Sequence, residues 1–233
     1  MLTQQIALVT GANRGLGKET AHQLAQKGFT VILTSRSEAG KEVAEAFRNL
    51  RLDVVFHQLD VADGQSIAEA ADFVASEYGH LDVLINNAGI HYDTFQNTLD
   101  ADMSIVEEAL RVNTLGPWRL SKALLPMLRK SAGGRIVNVS SSSGSFKDSW
   151  PGTPAYSMSK AALNMLTVKM AADLKDTNIL INSVGPGWTR TAMGGDKAPR
   201  SVEEGAASIL WAALLPEGGP SGGFFRDGEV VSW

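Results

Sequence analysis

The chain has 233 residues, 44% of them apolar and 20% charged, and a formal net charge of −4. Those values are ordinary for one α/β domain with a sizeable core, and the scattered basic residues exclude a nucleic-acid footprint. The absence of cysteine excludes disulfides, a thiolate nucleophile and Cys-ligated zinc. No apolar run has the length of a membrane span or the flanks of a secretory signal, so a cytoplasmic protein with no membrane partner is expected.

The pattern alternates apolar strands with amphipathic helices. A first strand is predicted over 6–10, ending at Gly11. From Gly15 the period becomes helical, with Ala21, Leu24 and Ala25 on one face and Gly28 as the closing residue. Strands follow over 30–34, 53–57 and 81–86, separated by helices over 38–50 and 65–78. Ser104-x-x-Glu107 and Ser201-x-x-Glu204 have the spacing of capping boxes. The pairs Glu107-Glu108 and Glu203-Glu204 read as favourable charges in first turns rather than as acid/base pairs. Strands over 135–140, 178–184 and 223–230 and a helix over 155–174 complete the set. Near-continuous apolar strands with intervening helices predict a doubly wound, seven-stranded parallel sheet with helices on both faces. No linker or repeat interrupts it, so 1–233 reads as a single Rossmann-type domain.

Ligands of such sheets bind beyond the carboxyl ends of the strands. The first strand runs into Thr10-Gly11-Ala12-Asn13-Arg14-Gly15-Leu16-Gly17. Glycines there permit a tight turn and close approach of a pyrophosphate, with the following helix N-terminus facing its charge. The second strand ends Thr34-Ser35-Arg36 without the acid that binds an NAD ribose. Arg36 and Arg14 can clamp a 2′-phosphate and Ser35 can donate to it, which favours NADPH. Asp60-Val61 is placed either to accept from the adenine amino group or to cap the turn before Asp63. Asn86-Asn87-Ala88-Gly89 offers small residues against which a ribose can lie, or an ordinary turn. Asn113, followed by Gly116-Pro117, predicts a kink with freed carbonyls that can bind a water. Tyr156 and Lys160 stand at i and i+4 of the helix over 155–174, where the ammonium should lower the phenol pKa. No His/carboxylate spacing matches a metal site, and none of the four histidines needs a catalytic role.

TGANRGLG at 10–17, NNAG at 86–89, Asn113, the Ser141 region, YSMSK at 156–160 and PGWTRT at 186–191 stand in one order. Together they resemble the short-chain dehydrogenase/reductase family, and the match covers essentially the whole chain. GWTRTAMGG…EEGA and the closing GGFFRDGEVVSW resemble its carbonyl-reductase-like branch. The resemblance implies a tetrad of Asn113, Ser141, Tyr156 and Lys160. Tyr156 would protonate the substrate oxygen as NADPH delivers hydride, and Lys160 would hold the ribose and lower the Tyr156 pKa. Ser141 would orient the carbonyl, and Asn113 would hold a water linking Lys160 to solvent. Residues 140–143 are all serine, and spacing from Arg135 favours Ser141 over Ser142. The same resemblance places Gly11, Asn13, Arg14, Gly15, Leu16, Gly17, Ser35, Arg36, Asp60, Val61, Asn87, Ala88, Gly89, Pro186, Gly187, Thr189 and Thr191 around NADPH/NADP+.

The implied activity is NADPH-dependent reduction of aldehydes or ketones. Alcohol oxidation with NADP+, reduction of an enone C=C bond and a non-catalytic NADPH sensor are the alternatives. Substrate contacts are expected from Ser141, Tyr156, Trp150, Trp188 and Met193, with His91, Tyr92 and Phe146 nearby. The short segment 192–200 suggests a mobile lid. Some relatives carry a long insertion between the catalytic Ser and Tyr that keeps them monomeric. Only residues 142–155 lie there in this chain, which implies free helices over 104–131 and 155–174 and a homodimer or homotetramer.

Overall fold

Alternate residues of the central strands serve two different cores. Ala7, Val9, Val31, Leu33, Val83, Ile85, Val137 and Val139 face one side of the sheet. Ile6, Leu8, Ile32, Leu84 and Ile136 face the other. This follows from the two-residue period of a strand, and burial on both faces explains why the strands read as unbroken apolar runs. Each fully buried Leu or Ile stabilises the fold by about 1.5–3 kcal/mol.

The computed structural model describes residues 4–147 and 150–233. Residues 1–3, in the N-terminal segment read above for a signal, lie outside the described residues, as do 148–149, between Ser141 and Tyr156. The strands are β1 (Ile6–Val9), β2 (Thr30–Ser35), β3 (Val54–Gln58), β4 (Val83–Asn86), β5 (Arg135–Val139), β6 (Leu180–Val184) and β7 (Phe224–Arg226). They pair in parallel in the order β3-β2-β1-β4-β5-β6-β7. A short β8 (Glu229–Val230) adds antiparallel to β7. The expected last strand over 223–230 is thus a hairpin, because Asp227 and Gly228 adopt positive φ of 52° and 84° and turn the chain.

Helices α1 (Gly15–Gln26), α2 (Ala39–Asn49) and α7 (Val202–Ala213) cover the first face. Helices α3 (Gly64–Glu77), α5 (Gly116–Leu128) and α6 (Pro154–Asp173) cover the second. A shorter α4 (Met103–Leu110) packs through Val106 and Ala109 against Ala155 of α6. Gly28 follows α1 with φ +90°, as its closing role requires. No helix among the described residues is long and apolar enough to cross a membrane.

The capping box at Ser201 is present: Glu204 N donates to Ser201 Oγ at 3.2 Å and Ser201 N to Glu204 Oε2 at 2.7 Å. The one expected at Ser104 is not. Asp102 caps α4 instead, accepting from Ser104 N at 2.9 Å and Ser104 Oγ at 2.7 Å, because its charged oxygen is the better acceptor. With α4 starting at Met103, Glu107 and Glu108 both fall outside the first turn, and Glu108 pairs with His91 at 2.6 Å. The predicted kink is real: residues Arg111–Leu115 form a π-helical turn between α4 and α5.

A buried polar ladder crosses the carboxyl ends of the middle strands. Asn86 Nδ2 donates to Asn138 Oδ1 (2.8 Å), Asn138 Nδ2 to Thr167 Oγ1 (2.8 Å), and Thr167 shares a hydrogen bond with Ser183 (2.8 Å). It ties β4, β5 and β6 to α6. Replacing Asn138 by Leu strands one Asn86 amide N–H and removes a donor from Thr167, leaving Asn86 with Ser121 and Thr167 with Leu163 O and Ser183. A loss of about 1–3 kcal/mol in urea unfolding is expected; an unchanged midpoint would show the ladder to be energetically neutral.

Candidate active site

The glycine loop is built by close approach. Gly11 and Gly15 hold positive φ of 63° and 54°, and a Cβ at Gly17 would press on Asn87 Nδ2 and lie 2.5 Å from Gly11 O. Asn87 Nδ2 donates to Thr10 O (2.8 Å) and Gly11 O (3.2 Å), and the backbone N–H groups of Asn87 and Ala88 both donate to Thr10 Oγ1 at 2.9 Å. The turn after β1 is therefore stapled to the turn after β4. Arg14 occupies the N-cap of α1 in extended backbone, no side chain caps the helix, and its first turn carries no acid. The N–H groups at that end are left for an anion.

A cleft of about 580 Å³ opens along the carboxyl ends of the strands. Gly11, Asn13, Arg14, Gly15, Leu16, Gly17, Arg36, Asp60, Val61, Asn87, Ala88, Gly89, Pro186, Gly187, Thr189 and Thr191 line it together with Ser141, Tyr156 and Lys160. Trp150, Trp188, Met193 and Tyr92 form its far wall. Arg14 and Arg36 are exposed at one end, and neither forms an ion pair among the described residues. Asp60 Oδ1 accepts from Ala62 N at 2.9 Å, so the turn-cap reading of that residue holds beside its place in the cleft. Ser140 Oγ is buried on the wall and has no hydrogen-bond partner among the described residues. Leu59, Ile90, Val112, Val139, Ser140, Ser143, Ala192 and Gly194 also line the cleft and escaped the sequence reading. For Leu59, Val139 and Ser140 the signal was their position at or just beyond strand ends.

Four expectations need correction. Ser35 is not on the cleft wall; it is buried and its hydroxyl donates to Ser37 O at 2.6 Å, which closes the turn into α2. Neither His91, held by Glu108, nor Phe146, 83% exposed, lines the cleft. The Asn113 side chain is also off the wall and already committed. Its Oδ1 accepts from Ile90 N (2.9 Å) and its Nδ2 donates to Ile90 O (3.0 Å) and Ser159 Oγ (2.9 Å). Both amide hydrogens are spent, so a water at the π turn has backbone carbonyls rather than this side chain to bind. Finally, the segment 192–200 is fastened. Arg190 N donates to Arg200 O (3.0 Å), Arg200 N to Trp188 O (3.2 Å), Arg190 Nη1 to Ala198 O (3.0 Å) and Trp188 Nε1 to Gly194 O (2.8 Å). It is a tied-down wall rather than a free lid.

Tyr156 and Lys160 lie side by side on α6, 9% and 3% exposed. Lys160 Nζ donates to Val139 O at 2.7 Å and sits 5.5 Å from the centre of the Tyr156 ring. Burial pushes the Tyr156 phenol up to about 12, opposed by the Ser141 hydroxyl. The same burial lowers Lys160 to about 8. Desolvation thus outweighs the lowering of the phenol expected from the ammonium. Ser141 Oγ donates to Ser143 Oγ at 3.2 Å. Tyr92 meets the Tyr156 ring edge-on, with centroids 5.3 Å apart.

Residues 5–201 match the short chain dehydrogenase family. The chain belongs to this family. Carbonyl reductase [NADPH] 1 of Bos taurus is 35% identical over 98% of both chains, and (+)-neomenthol dehydrogenase of Arabidopsis thaliana likewise 35% over 98% of both. The bovine alignment runs over 279 positions, so that relative carries residues with no counterpart in this chain. Among solved structures, the NADPH-bound carbonyl reductase from chicken fatty liver superposes with a TM-score of 0.89 at 32% identity, covering all of both chains. The family member described here thus stands beside carbonyl reductases.

A lysine whose folded pKa lies below its unfolded value opposes folding while it is charged. For Lys160 the penalty is present below pH 8 and fades as pH rises from about 8 toward 10.5. The gap corresponds to about 3 kcal/mol. Lys160→Met is expected to raise the Tm by several degrees at pH 7 and by progressively less toward pH 10.5. A Tm gain independent of pH would assign the effect to packing instead.

Proposed function

We propose that this short-chain dehydrogenase reduces aldehydes or ketones to alcohols with NADPH, in the cytoplasm. The observation that carries the reading is the pairing, in one cleft, of an uncapped glycine-loop helix and two free arginines at one end with Tyr156, Ser141 and Lys160 at the other. The residues fit the cofactor. The N–H groups of α1 suit its pyrophosphate, Arg14 and Arg36 a 2′-phosphate, and Gly89, beside Lys160 Nζ, presents no side chain to a ribose. Pro186, Gly187, Thr189 and Thr191 line the nicotinamide end in this reading. NADPH supplies hydride when bound.

The remaining steps belong to the protein. Ser141 orients the substrate oxygen toward the Tyr156 hydroxyl. With its pKa near 12, Tyr156 is protonated at neutral pH. It is a stronger acid than an alcohol, so the proton moves from Tyr156 to the oxygen as alkoxide character develops. The reverse direction needs the phenolate, which burial opposes at neutral pH, so alcohol oxidation is expected to gain rate as pH rises. Lys160 holds the ribose hydroxyls and passes a proton back to Tyr156, while Asn113 keeps the surrounding loop in register. Trp150, Trp188, Met193 and Tyr92 favour a bulky apolar substituent on the carbonyl. The 35% identical (−)-isopiperitenone reductase of Mentha piperita keeps enone reduction as the second reading.

Apolar side chains on the outer side of α5 and α6 support a homodimer or homotetramer: Trp118 is 47%, Met158 54% and Met165 60% exposed. A monomer in sedimentation at micromolar concentration would remove that part of the reading.

The deciding experiment follows NADPH and NADH oxidation across aldehydes, ketones and enones. Tyr156→Phe is expected to bind NADPH as the parent does and to lose carbonyl reduction by roughly 10²–10⁴-fold. Retained activity would remove Tyr156 as proton donor. Arg36→Asp is expected to weaken NADPH by at least about tenfold more than NADH; equal weakening would take Arg36 out of the phosphate site.

A further inference from the structure

The helix that carries Tyr156 is capped from outside its own segment. Thr153, at its N-cap position, has left-handed backbone (φ +49°) and provides no side-chain cap; its hydroxyl pairs with Ser157 Oγ at 3.0 Å. Pro154 has no N–H to satisfy. The next two N–H groups, those of Ala155 and Tyr156, donate to the two carboxylate oxygens of Asp93 at 2.9 and 3.0 Å. Asp93 is 0% exposed. Among the described residues it pairs with no Lys, Arg or His. A buried carboxylate without a counter-ion is costly, and here the charge is balanced by a helix N-terminus and charge-assisted hydrogen bonds.

The same carboxylate reaches a second helix. Gln96 Nε2 donates to Asp93 Oδ2 at 2.8 Å, and Gln96 Oε1 accepts from the backbone N–H of Asp102, the cap of α4, at 3.0 Å. The loop after β4 is thus fastened to α6 at two points. Ile90 is bound through Asn113 to Ser159, and Asp93 binds the N–H of Tyr156 itself. Between them, Tyr92 packs edge-on against the Tyr156 ring.

We propose that Asp93 is a positioning residue for Tyr156: by capping α6 from the loop after β4 it fixes where the phenol hydroxyl stands relative to Ser141 and Lys160. The proposal rests on Tyr156 as proton donor. Because catalysis is steep in the placement of reacting groups, a small displacement of the first turn should slow the chemical step without altering the distant phosphate end.

The test compares the full chain with Asp93→Asn, which keeps one acceptor oxygen, and Asp93→Ala, which keeps none. Carbonyl reduction, NADPH binding by fluorescence and hydrogen–deuterium exchange are read for each. The expected result is a graded fall in kcat, roughly tenfold for Asn and roughly 100-fold for Ala. NADPH affinity stays unchanged, and exchange accelerates over 154–160 but not in the strands. Parental kcat in Asp93→Ala, or unchanged exchange over 154–160, would overturn the proposal. So would a loss of kcat matched by an equal loss of NADPH affinity. The exchange arm needs no substrate. A parent chain that reduces no carbonyl compound would sink the functional reading, while faster exchange confined to 154–160 would still support the cap.

Discussion

The position of α6 is the constraint on which the rest of the molecule depends. Its middle is fixed by the buried ladder from Asn86 through Asn138 to Thr167 and Ser183. Its first turn is fixed by Asp93, and Thr114 Oγ1 donates to Ser159 O at 2.8 Å between the two. Each tie is a polar group removed from water, where an unmade bond is expensive and a made one specifies geometry. The apolar layers give the sheet its stability; these hydrogen bonds give one helix its place.

Burial then sets the chemistry. A phenol near pKa 12 and an amine near 8 are both displaced toward their neutral forms by the same dry wall. Desolvation dominates because Lys160 directs its Nζ to the Val139 carbonyl rather than to the phenol oxygen. At neutral pH the arrangement keeps the proton on Tyr156, which suits the donor role the proposed function assigns to it.

Much of the fold was legible in the sequence. Apolar runs of strand length, helical periodicity and closing glycines placed the parallel strands and their helices within a few residues. Glycine spacing after β1 and the helical spacing of Tyr156 and Lys160 placed both ends of the cleft. The errors share a cause. Ser104 lost its capping role to Asp102, Ser35 turned to Ser37, and Asn113 was consumed by Ile90 and Ser159. In each case the residue type was right for a hydrogen bond, but another partner was nearer: two residues along the chain for Ser104 and Ser35, and 23 and 46 residues away for Asn113. Asp93 went unread because its partners stand 62 and 63 residues away.

By itself the sequence determined the doubly wound architecture, since periodicity and local backbone requirements are written in neighbouring residues, and the order of its motifs carried the family resemblance. It also determined which residue types reach the strand ends. Only the tertiary structure decided which amide clamps a loop instead of a ligand and which way burial moves the phenol and the amine. Hydrogen bonds and desolvation depend on distance in space, and the chain that folds three layers together sets those distances only when every layer is in place.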